Sequence, residues 1–312
     1  MASSPLPEYV TAELTGHHGP ARAVRFNTSG SYCLTCGSDK TVKLWNPHRG
    51  LIIKTYQGHG REVLDVAAAR DNSRIVSCGA DKLVILTDVS TGNIIRKYRG
   101  HLERVNCVKF NDESTLLISG SYDATIRLWD CRSRQYEPVQ VIDDAKDSVT
   151  SVQVTDHEIL TGSVDTYVRN YDIRMGKLYQ DCVGYPITSA PFTNDRQCII
   201  VSSLDSTIRL LDKDTGELLN EFKGHQSQDY KIDCCSSNTD AHIISGSEDG
   251  RICIWELVEA KLIHSLPQGA KTSVVYSLAF HPREACLVAA ASDGSIKVWK
   301  GGDRGQTSET TA

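Results

Sequence analysis

The chain has 312 residues, of which 40% are apolar, and its 34 lysines and arginines stand against 39 aspartates and glutamates, a formal net charge of −5. That apolar fraction is enough for a full hydrophobic core, which excludes intrinsic disorder of the chain as a whole. The negative charge, with no run of lysine or arginine, argues against direct binding of nucleic acid.

The first residues contain no apolar segment behind a basic one, and no long apolar run follows, so we expect a protein that is neither secreted nor inserted in a membrane. Its 11 cysteines are then expected to be free buried thiols in a reducing compartment. Cys33 and Cys36 form a C-x-x-C pair without a second pair at zinc spacing, so we expect no metal ion. No phosphate loop, H-E-x-x-H pair or dinucleotide fingerprint occurs, and we therefore expect no cofactor and no enzymatic activity.

One unit recurs along the chain: an apolar stretch, a turn of small residues that ends in aspartate, and an alternating strand. Its clearest copy runs from Ile118 to Asp130. Successive turn aspartates are 40 to 44 residues apart, and all four tryptophans lie six residues after one of them. The turn aspartates are Asp39, Asp81, Asp123, Asp165, Asp205, Asp249 and Asp293.

Gly-His pairs precede several of these turns. His17, His59 and His101 lie 22 residues before their aspartate, and His225 lies 24 residues before Asp249. A period near 42 that carries Gly-His and Trp-Asp is the signature of the WD-repeat family, which the sequence resembles from about Tyr9 to Trp299. The resemblance implies an all-β fold, a seven-bladed β-propeller in which each unit is a four-stranded blade.

The chain stops one strand after Trp299, so the seventh blade has no outer strand of its own. Residues 9–14 stand where every other blade has its outer strand, and we predict that they complete the last blade and close the ring. The expected organisation is a disordered leader (1–8), a single propeller (9–300) and a disordered tail (301–312) rich in Gly, Ser, Thr and Glu.

In the WD-repeat family the histidine, a hydroxyl residue four before the aspartate, the aspartate and the tryptophan form a hydrogen-bonded tetrad. The resemblance implies three structural tetrads here: His17-Thr35-Asp39-Trp45, His101-Ser119-Asp123-Trp129 and His225-Ser245-Asp249-Trp255. We interpret these sets as structural and not as catalytic triads, because they recur from blade to blade without a strained nucleophile turn. Blades two, four and five have Thr87, Tyr171 and Leu211 in place of tryptophan, so we expect them to depend on packing instead.

Loops at the ends of the central channel differ between blades, and we expect binding specificity there. The residues just before the turn aspartate in blades three to five are Tyr122, Val164 and Leu204, an apolar group at turn tips that are normally polar. Further candidates for partner binding come from the inter-blade loops of the same face and are of types that anchor protein contacts: Arg61, Arg104, Lys146, Tyr185 and Tyr230. The alternative is that Val164 and Leu204 turn inward and fill the channel.

Two short segments match another pattern. Trp129-Asp130-Cys131-Arg132 fits, and Tyr171-Asp172-Ile173-Arg174 approximates, the W-D-x-R pattern of WD-repeat substrate receptors on cullin ubiquitin ligases. The other interpretation is that Arg132 and Arg174 are solvated charges at strand ends.

Longer stretches resemble one group of WD-repeat proteins, the mitogen-activated protein kinase organizer family: RAVRFN at 22–27, YCLTCGSDKTVKLWNP at 32–47, DHEILTGSVD at 156–165 and VSSLDSTIRLLDKDTGELL at 201–219. The resemblance implies a non-enzymatic scaffold for proteins of the extracellular-signal-regulated kinase cascade. It also implies roles in hypoxia signalling through a prolyl hydroxylase and in pre-mRNA splicing complexes. We expect protein partners, a monomeric propeller within larger complexes, and a location in both cytoplasm and nucleus. A signalling scaffold ranks first, a splicing-complex subunit second or concurrent, a ubiquitin-ligase receptor third and an enzyme last.

Overall fold

The computed structural model describes residues 6–302, which form 28 β-strands and no α-helix. In chain order the strands are β1 (Tyr9–Glu13), β2 (Ala21–Phe26), β3 (Cys33–Gly37), β4 (Thr41–Asn46), β5 (Leu51–Gln57), β6 (Val63–Ala68), β7 (Arg74–Gly79), β8 (Leu83–Asp88), β9 (Ile94–Arg99), β10 (Val105–Phe110), β11 (Leu116–Ser121), β12 (Ile126–Asp130), β13 (Gln140–Ile142), β14 (Val149–Val154), β15 (Glu158–Ser163), β16 (Tyr167–Asp172), β17 (Lys177–Cys182), β18 (Ile187–Ser189), β19 (Cys198–Ser203), β20 (Thr207–Asp212), β21 (Leu218–Lys223), β22 (Cys234–Ser236), β23 (His242–Gly246), β24 (Arg251–Glu256), β25 (Leu262–Pro267), β26 (Val275–Phe280), β27 (Cys286–Ala291) and β28 (Ile296–Lys300).

The strands form seven four-stranded antiparallel sheets, the blades. Blade one is β2–β5, blade two β6–β9, blade three β10–β13, blade four β14–β17, blade five β18–β21, blade six β22–β25, and blade seven β26–β28 with β1. Within a blade the chain runs outward from the strand beside the central channel, and short hairpins join consecutive strands because antiparallel neighbours need no crossover. The predicted seven-bladed β-propeller is confirmed.

Strand β1 closes the ring by completing blade seven. It pairs antiparallel with β28, with Val10 opposite Trp299. The backbone N–H of Leu14 extends this pairing by donating to the carbonyl of Ile296 at 2.7 Å. Because the first and last strands share one sheet, the two ends of the propeller hold each other, and the prediction of an N-terminal closing strand is confirmed.

Parts of the predicted leader and tail, residues 1–5 and 303–312, lie outside the described residues. Residues 6–8 accompany the closing strand. Leu6 packs against the apolar cluster that contains Trp299, and Pro7 is buried. The backbone N–H of Glu8 donates to the carbonyl of Lys300 at 2.9 Å.

The hydrophobic core is divided into seven clusters, one at each junction between neighbouring blades. At the junction of blades seven and one, for example, Leu14 and Trp45 pack with Val288. Strand β27 is buried at each of its six residues because both of its faces meet a neighbouring blade. Its sequence is apolar throughout for the same reason, as for any strand covered on two sides.

In blade one the four tetrad residues form a continuous hydrogen-bonded chain. Trp45 Nε1 donates to Thr35 Oγ1 at 2.7 Å, and that hydroxyl lies 2.7 Å from His17 Nε2. His17 Nδ1 in turn lies 2.8 Å from Asp39 Oδ2. Burial lowers the pKa of His17 in spite of the neighbouring aspartate, so the ring is neutral at pH 7. A neutral ring with its proton on Nδ1 satisfies every donor and acceptor of the chain.

Blade three repeats this chain. Trp129 Nε1 donates to Ser119 Oγ at 2.9 Å, Ser119 Oγ lies 2.8 Å from His101 Nε2, and His101 Nδ1 lies 3.0 Å from Asp123 Oδ2. Burial lowers the pKa of His101 as well. The polar residues of the motif therefore satisfy one another between strands, and Ser119 is fully buried.

For blade two, the expectation that a blade without tryptophan depends on packing instead of this network is wrong. His59 lies 2.9 Å from both Ser77 Oγ and Asp81 Oδ1, so three members of the network remain. Where the Trp45 ring edge faces the glycine of the Gly-His pair in blade one, the fully buried Ile85 faces it in blade two, with Cδ1 3.5 Å from a Cβ built on that glycine. Thr87 is itself buried.

Blade six corrects the prediction of a third tetrad. Both ring nitrogens of His225 are buried without a hydrogen-bond partner. Trp255 Nε1 donates instead to a backbone carbonyl of β21 at 3.0 Å, and Ser245 Oγ donates to the next backbone carbonyl at 3.0 Å. Arg251 Nε donates to Asp249 at 2.7 Å and so takes the place of the histidine. The inter-blade loop is two residues longer here, which moves His225 out of register with its aspartate.

Candidate protein-interaction face

The innermost strands of the blades carry a β-bulge where they enter the sheet. Register shifts occur at this point in β2, β6, β10, β14, β18 and β26. A bulge puts two residues opposite one and turns a side chain away from the regular alternation. The residues at the shifts are Arg22, Leu64, Asn106, Thr150, Thr188 and Tyr276. All lie at the end of the propeller that carries the turn aspartates.

Four of these bulge residues line a cavity of about 240 Å³ at this end of the channel, which we call the upper mouth. Arg22 Nη2 lies 3.0 Å from Glu62 Oε2, and its guanidinium stacks 4.7 Å from the centre of the Tyr276 ring. The Tyr230 ring stands 5.9 Å from that of Tyr276, edge to face. An arginine held between a carboxylate and an aromatic ring is preorganised for a protein contact.

A second arginine–tyrosine pair stands beside the first. Arg104 lines the upper mouth, and its guanidinium lies 4.7 Å from the centre of the Tyr122 ring. Half of the Tyr122 side chain is exposed, at 50%. The backbone N–H of Tyr122 donates to the carbonyl of Arg104 at 2.9 Å, which fixes the turn of blade three against the loop that enters it. The sequence prediction thus identified two residues that the structure brings together.

The other two members of the predicted apolar group are less exposed to solvent than Tyr122. Val164 and Leu204 are half-buried. Their backbone N–H groups donate to the carbonyls of Ser148 and Pro186 at 2.9 and 3.0 Å, the same turn-to-loop bond that Tyr122 makes. These residues therefore share the end of the propeller with Tyr122, but they offer less surface to a partner.

The remaining predicted residues differ in whether they line the upper mouth. Tyr230 lines the upper mouth. Arg61, Lys146 and Tyr185 are exposed in inter-blade loops and do not line that cavity. Tyr185 has its own cation partner, the Arg209 guanidinium at 5.4 Å from the ring centre. Aromatic rings under arginines thus recur around this face.

Sequence reasoning missed Arg22, Leu64, Asn106, Lys231 and Tyr276, all of which line the upper mouth. A signal for four of them exists, because all but Lys231 stand 17 residues before a turn aspartate. Lys231 comes from the longer loop of blade six, where its Nζ donates to the carbonyl of Asn106 at 3.1 Å.

Below the upper mouth the channel is lined by charged groups and not by apolar filler. Arg25 bridges two carboxylates, with Nη2 2.9 Å from Asp65 Oδ1 and Nη1 2.8 Å from Asp233 Oδ2. Ser277 Oγ donates to Asp233 at 2.8 Å, and Lys109 Nζ lies 4.0 Å from Asp65. These residues come from blades one, two, three, six and seven, so the network ties the inner strands together across the channel.

The ionic network outweighs the cost of burial at both carboxylates. Burial alone would raise the pKa of Asp65, but Arg25 and Lys109 lower it overall. Burial likewise opposes the ionisation of Asp233, but Arg25 favours it. The pKa of Asp233 falls to about 2. Both aspartates are therefore charged at pH 7.

The two segments related to the W-D-x-R pattern begin in the last two residues of β12 and β16 and continue into the loops that follow. The backbone N–H of Arg132 donates to Asp130 Oδ1 at 2.7 Å, and that of Arg174 to Asp172 Oδ1 at 2.9 Å. Each aspartate thus caps its own turn, and the Arg132 side chain is 69% exposed.

One group of side chains brings three possible metal ligands within 4.8 Å of one another, His48, His281 and Glu284. His281 Nδ1 already accepts the backbone N–H groups of Arg283 and Glu284 at 3.0 and 2.8 Å. Lys300 Nζ lies 3.3 Å from His48 Nδ1 and 4.0 Å from Glu284. An ammonium therefore stands beside these groups, which suits an ion cluster better than a metal site.

All 11 cysteines lie among the described residues, and each is a free thiol there. Cys33 and Cys36 are buried, and burial raises the pKa of both thiols. Such thiols are protonated and unreactive at pH 7. Within residues 6–302 no helix offers the length and apolar character needed to cross a membrane.

Comparison with known proteins agrees with the architecture. A family model described as the N-terminal domain of nucleolar protein 10-like proteins, a β-propeller, matches residues 58–238. The WD domain, G-beta repeat model matches residues 8–46 and 260–300. Proteins of this class act in general as non-catalytic scaffolds that bind other proteins.

Several relatives are named WD repeat domain-containing protein 83. The human protein is 58% identical over 295 residues, which cover 95% of this chain and 93% of the relative. The protein of Rattus norvegicus is 57% identical with the same coverage. That of Xenopus tropicalis is 55% identical over 296 residues, again with 95% and 93% coverage. The chain is therefore a WD-repeat propeller that belongs to the family of WD repeat domain-containing protein 83, the mitogen-activated protein kinase organizer family, and is a protein-interaction scaffold.

Proposed function

We propose that this scaffold assembles signalling complexes of the mitogen-activated, extracellular-signal-regulated protein kinase cascade, and that partners dock on the upper mouth. The observation that carries the docking site is the pair of arginine–tyrosine stacks, Arg104 on Tyr122 and Arg22 on Tyr276, each with 4.7 Å between guanidinium and ring centre. Arginine and tyrosine are the residues that most often dominate protein interfaces, and stacking lowers the entropy lost when they are fixed by a partner.

The kinase cascade is proposed from the resemblance of the stretches at 22–27, 32–47, 156–165 and 201–219 to the kinase organizer family. The same resemblance supports a prolyl hydroxylase as a partner in hypoxia signalling. The scaffold has no enzymatic role in this proposal. It acts as a single propeller within larger complexes, in the cytoplasm and in the nucleus.

A role as subunit of a pre-mRNA splicing complex is the second candidate, and it is compatible with the first. The match of residues 58–238 to a nucleolar protein's propeller favours work in the nucleus. With a net charge of −5, contact with RNA would run through other proteins. Docking on a cullin ubiquitin ligase through Arg132 and Arg174 is a weaker alternative, since the aspartate beside each arginine is engaged in capping its own turn.

Quantitative affinity purification from cell lysate tests the proposal. The test variant is Tyr122→Glu with Tyr230→Glu, two exposed rings at the upper mouth. The matched control is Tyr136→Glu, because Tyr136 is also an exposed ring under an arginine, Arg96 at 5.8 Å, but it belongs to the loop before β13. Circular dichroism checks that every variant is folded.

We expect kinase-cascade proteins to be lost from the test variant and retained by the control. Selective loss of splicing proteins would favour the second candidate. Recovery of an unchanged set of proteins by the test variant would show that the upper mouth is not the docking site. If neither kinase-cascade nor splicing proteins are recovered with the wild type, both functions are wrong.

A further inference from the structure

The opposite end of the channel carries a cavity of about 400 Å³, which we call the lower mouth. It is framed by the hairpins between the first and second strands of the blades. Four cationic side chains line it, Arg25, Arg70, Lys109 and Arg196, against one carboxylate, Asp112. At about 30 Å³ for each water molecule, the space holds roughly a dozen waters.

Only some of these cations are neutralised by the protein. Arg196 lies 3.5 Å from Asp112 and 3.7 Å from Asp156, and Arg25 is held by its two channel carboxylates. In the described part of the chain Arg70 pairs with no carboxylate, and its side chain is exposed. Among the cations of residues 6–302 that line the mouth, Arg70 is therefore left without an anionic partner and Lys109 has only a distant one.

Among the described residues, Lys109 has no carboxylate within hydrogen-bond distance. The nearest carboxylate oxygen to its Nζ belongs to Asp65 and lies 4.0 Å away, longer than a hydrogen bond, and Asp65 is already paired with Arg25. Burial, and then the charge of Arg25, lower the pKa of Lys109. Its ammonium is thus a partly buried donor with no carboxylate of the described chain at hydrogen-bond distance. Buried donors of this kind are costly unless an acceptor is supplied.

We propose that the lower mouth is a binding site for a small multivalent oxyanion of the phosphate type, held by Lys109 and Arg70. Such an anion supplies several acceptor oxygens at once, which the ammonium of Lys109 and the forked donors of Arg70 match. Thr28, Asn111 and Ser114 add polar groups to the wall. The site lies at the end of the channel away from the upper mouth, so it is independent of the docking surface proposed above.

Titration calorimetry with inorganic pyrophosphate tests the site, with sodium chloride at matched ionic strength as the reference. The test variants are Arg70→Gln and Lys109→Met. The first is a surface change that does not touch the core, and the second removes a charge that the protein itself only weakly pairs. The matched control is Arg283→Gln, which removes a positive charge from an exposed residue in the corresponding hairpin of blade seven, outside the cavity.

We expect wild-type protein to bind pyrophosphate, with about tenfold weaker binding in each test variant and unchanged binding in the control. Pyrophosphate should also raise the melting temperature of the wild type more than that of Arg70→Gln. No binding at about 1 mM pyrophosphate would overturn the proposal. Equal weakening in Arg283→Gln, or unchanged affinity in Arg70→Gln, would overturn it too, because binding would then reflect surface charge in general or another site.

Discussion

Two buried serines at the same position of two blades should differ strongly in their contribution to stability. Ser119 in blade three and Ser245 in blade six both lie four residues before the turn aspartate, and both are fully buried. Ser119 Oγ accepts from Trp129 Nε1 at 2.9 Å and bonds to His101 Nε2 at 2.8 Å. Ser245 Oγ makes a single bond, to the carbonyl of Gly246 at 3.0 Å.

The substitution Ser119→Ala removes one oxygen and leaves two buried nitrogens, on Trp129 and His101, without partners. A buried polar group that loses its partner costs about 1–3 kcal/mol, so the variant should lose about 3 kcal/mol of the free energy of unfolding. Ser245→Ala removes one neutral hydrogen bond, which contributes about 1 kcal/mol. At about 2 °C for each kcal/mol, the two melting temperatures should differ by about 4 °C.

Urea denaturation followed by circular dichroism measures the difference directly, provided that the slope of free energy against urea is the same for both variants. Alanine replaces serine in both proteins, so side-chain entropy and strand propensity cancel. A difference below about 0.5 kcal/mol would refute the geometry of blade six. It would mean that His225 completes a tetrad there as the sequence pattern predicts.

Three further outcomes follow from the packing and charges of the ring. Thr87→Trp should lower the stability of blade two by about 1–3 kcal/mol, because the fully buried Ile85 faces the glycine that the indole contacts in blade one; a higher melting temperature would show that room remains. Asp65→Asn breaks a buried ion pair and should cost about 3 kcal/mol in urea unfolding, against under about 0.5 kcal/mol for Glu103→Gln at an exposed pair; similar costs would contradict the channel network. Burial lowers the pKa of His225 to about 4, below the value near 6.5 in the unfolded chain, so the unfolded state binds the proton first and stability falls as pH drops from about 6.5 to about 4. That fall, about 1 kcal/mol between pH 7.5 and 5.5 for this residue, should shrink in His225→Gln, and an unchanged pH profile would exclude a neutral buried ring.

The fold was predictable because every blade repeats the same four-stranded arrangement of the backbone. In blades one to five and seven the turn aspartate accepts from the backbone N–H two residues further on, as Asp39 does from Thr41 at 3.1 Å, so the residue recurs even where the histidine is absent. The closing strand was predictable for a related reason, since blade seven was one strand short. These are local requirements, and a periodic sequence displays them directly.

Features that depend on how two blades meet were not predictable in this way. In blade seven Ala289 stands where most other blades have the hydroxyl, and Gln268 replaces that hydroxyl, with Oε1 accepting from Trp299 Nε1 at 2.8 Å and Nε2 donating to the carbonyl of Ala289 at 3.0 Å. Nothing in the period marks this residue, which stands 25 residues before its aspartate. The two extra residues in the loop of blade six are visible in the sequence. The hydrogen bond from Arg251 to Asp249, however, can be recognised only in the structure. The bulges are hidden as well, because alternation does not show where two residues face one.

The bulge residues also make the upper mouth one-sided. In blades one, two, three and seven they line the cavity. In blades four and five they are buried threonines: Thr150 Oγ1 donates to the carbonyl of Ile187 in the next blade at 2.8 Å, and Thr188 Oγ1 donates to the carbonyl of Ser202 at 3.2 Å. Blades four and five therefore use this position for internal bonds alone. Asn106 of blade three both lines the cavity and donates Nδ2 to Ser148 Oγ at 2.9 Å and to the carbonyl of Val149 at 2.8 Å. A partner that binds through the arginine–tyrosine stacks must then lie off the channel axis, over blades seven, one, two and three. It would leave the face of blades four and five open for a second protein, so that two partners could share this end of the propeller.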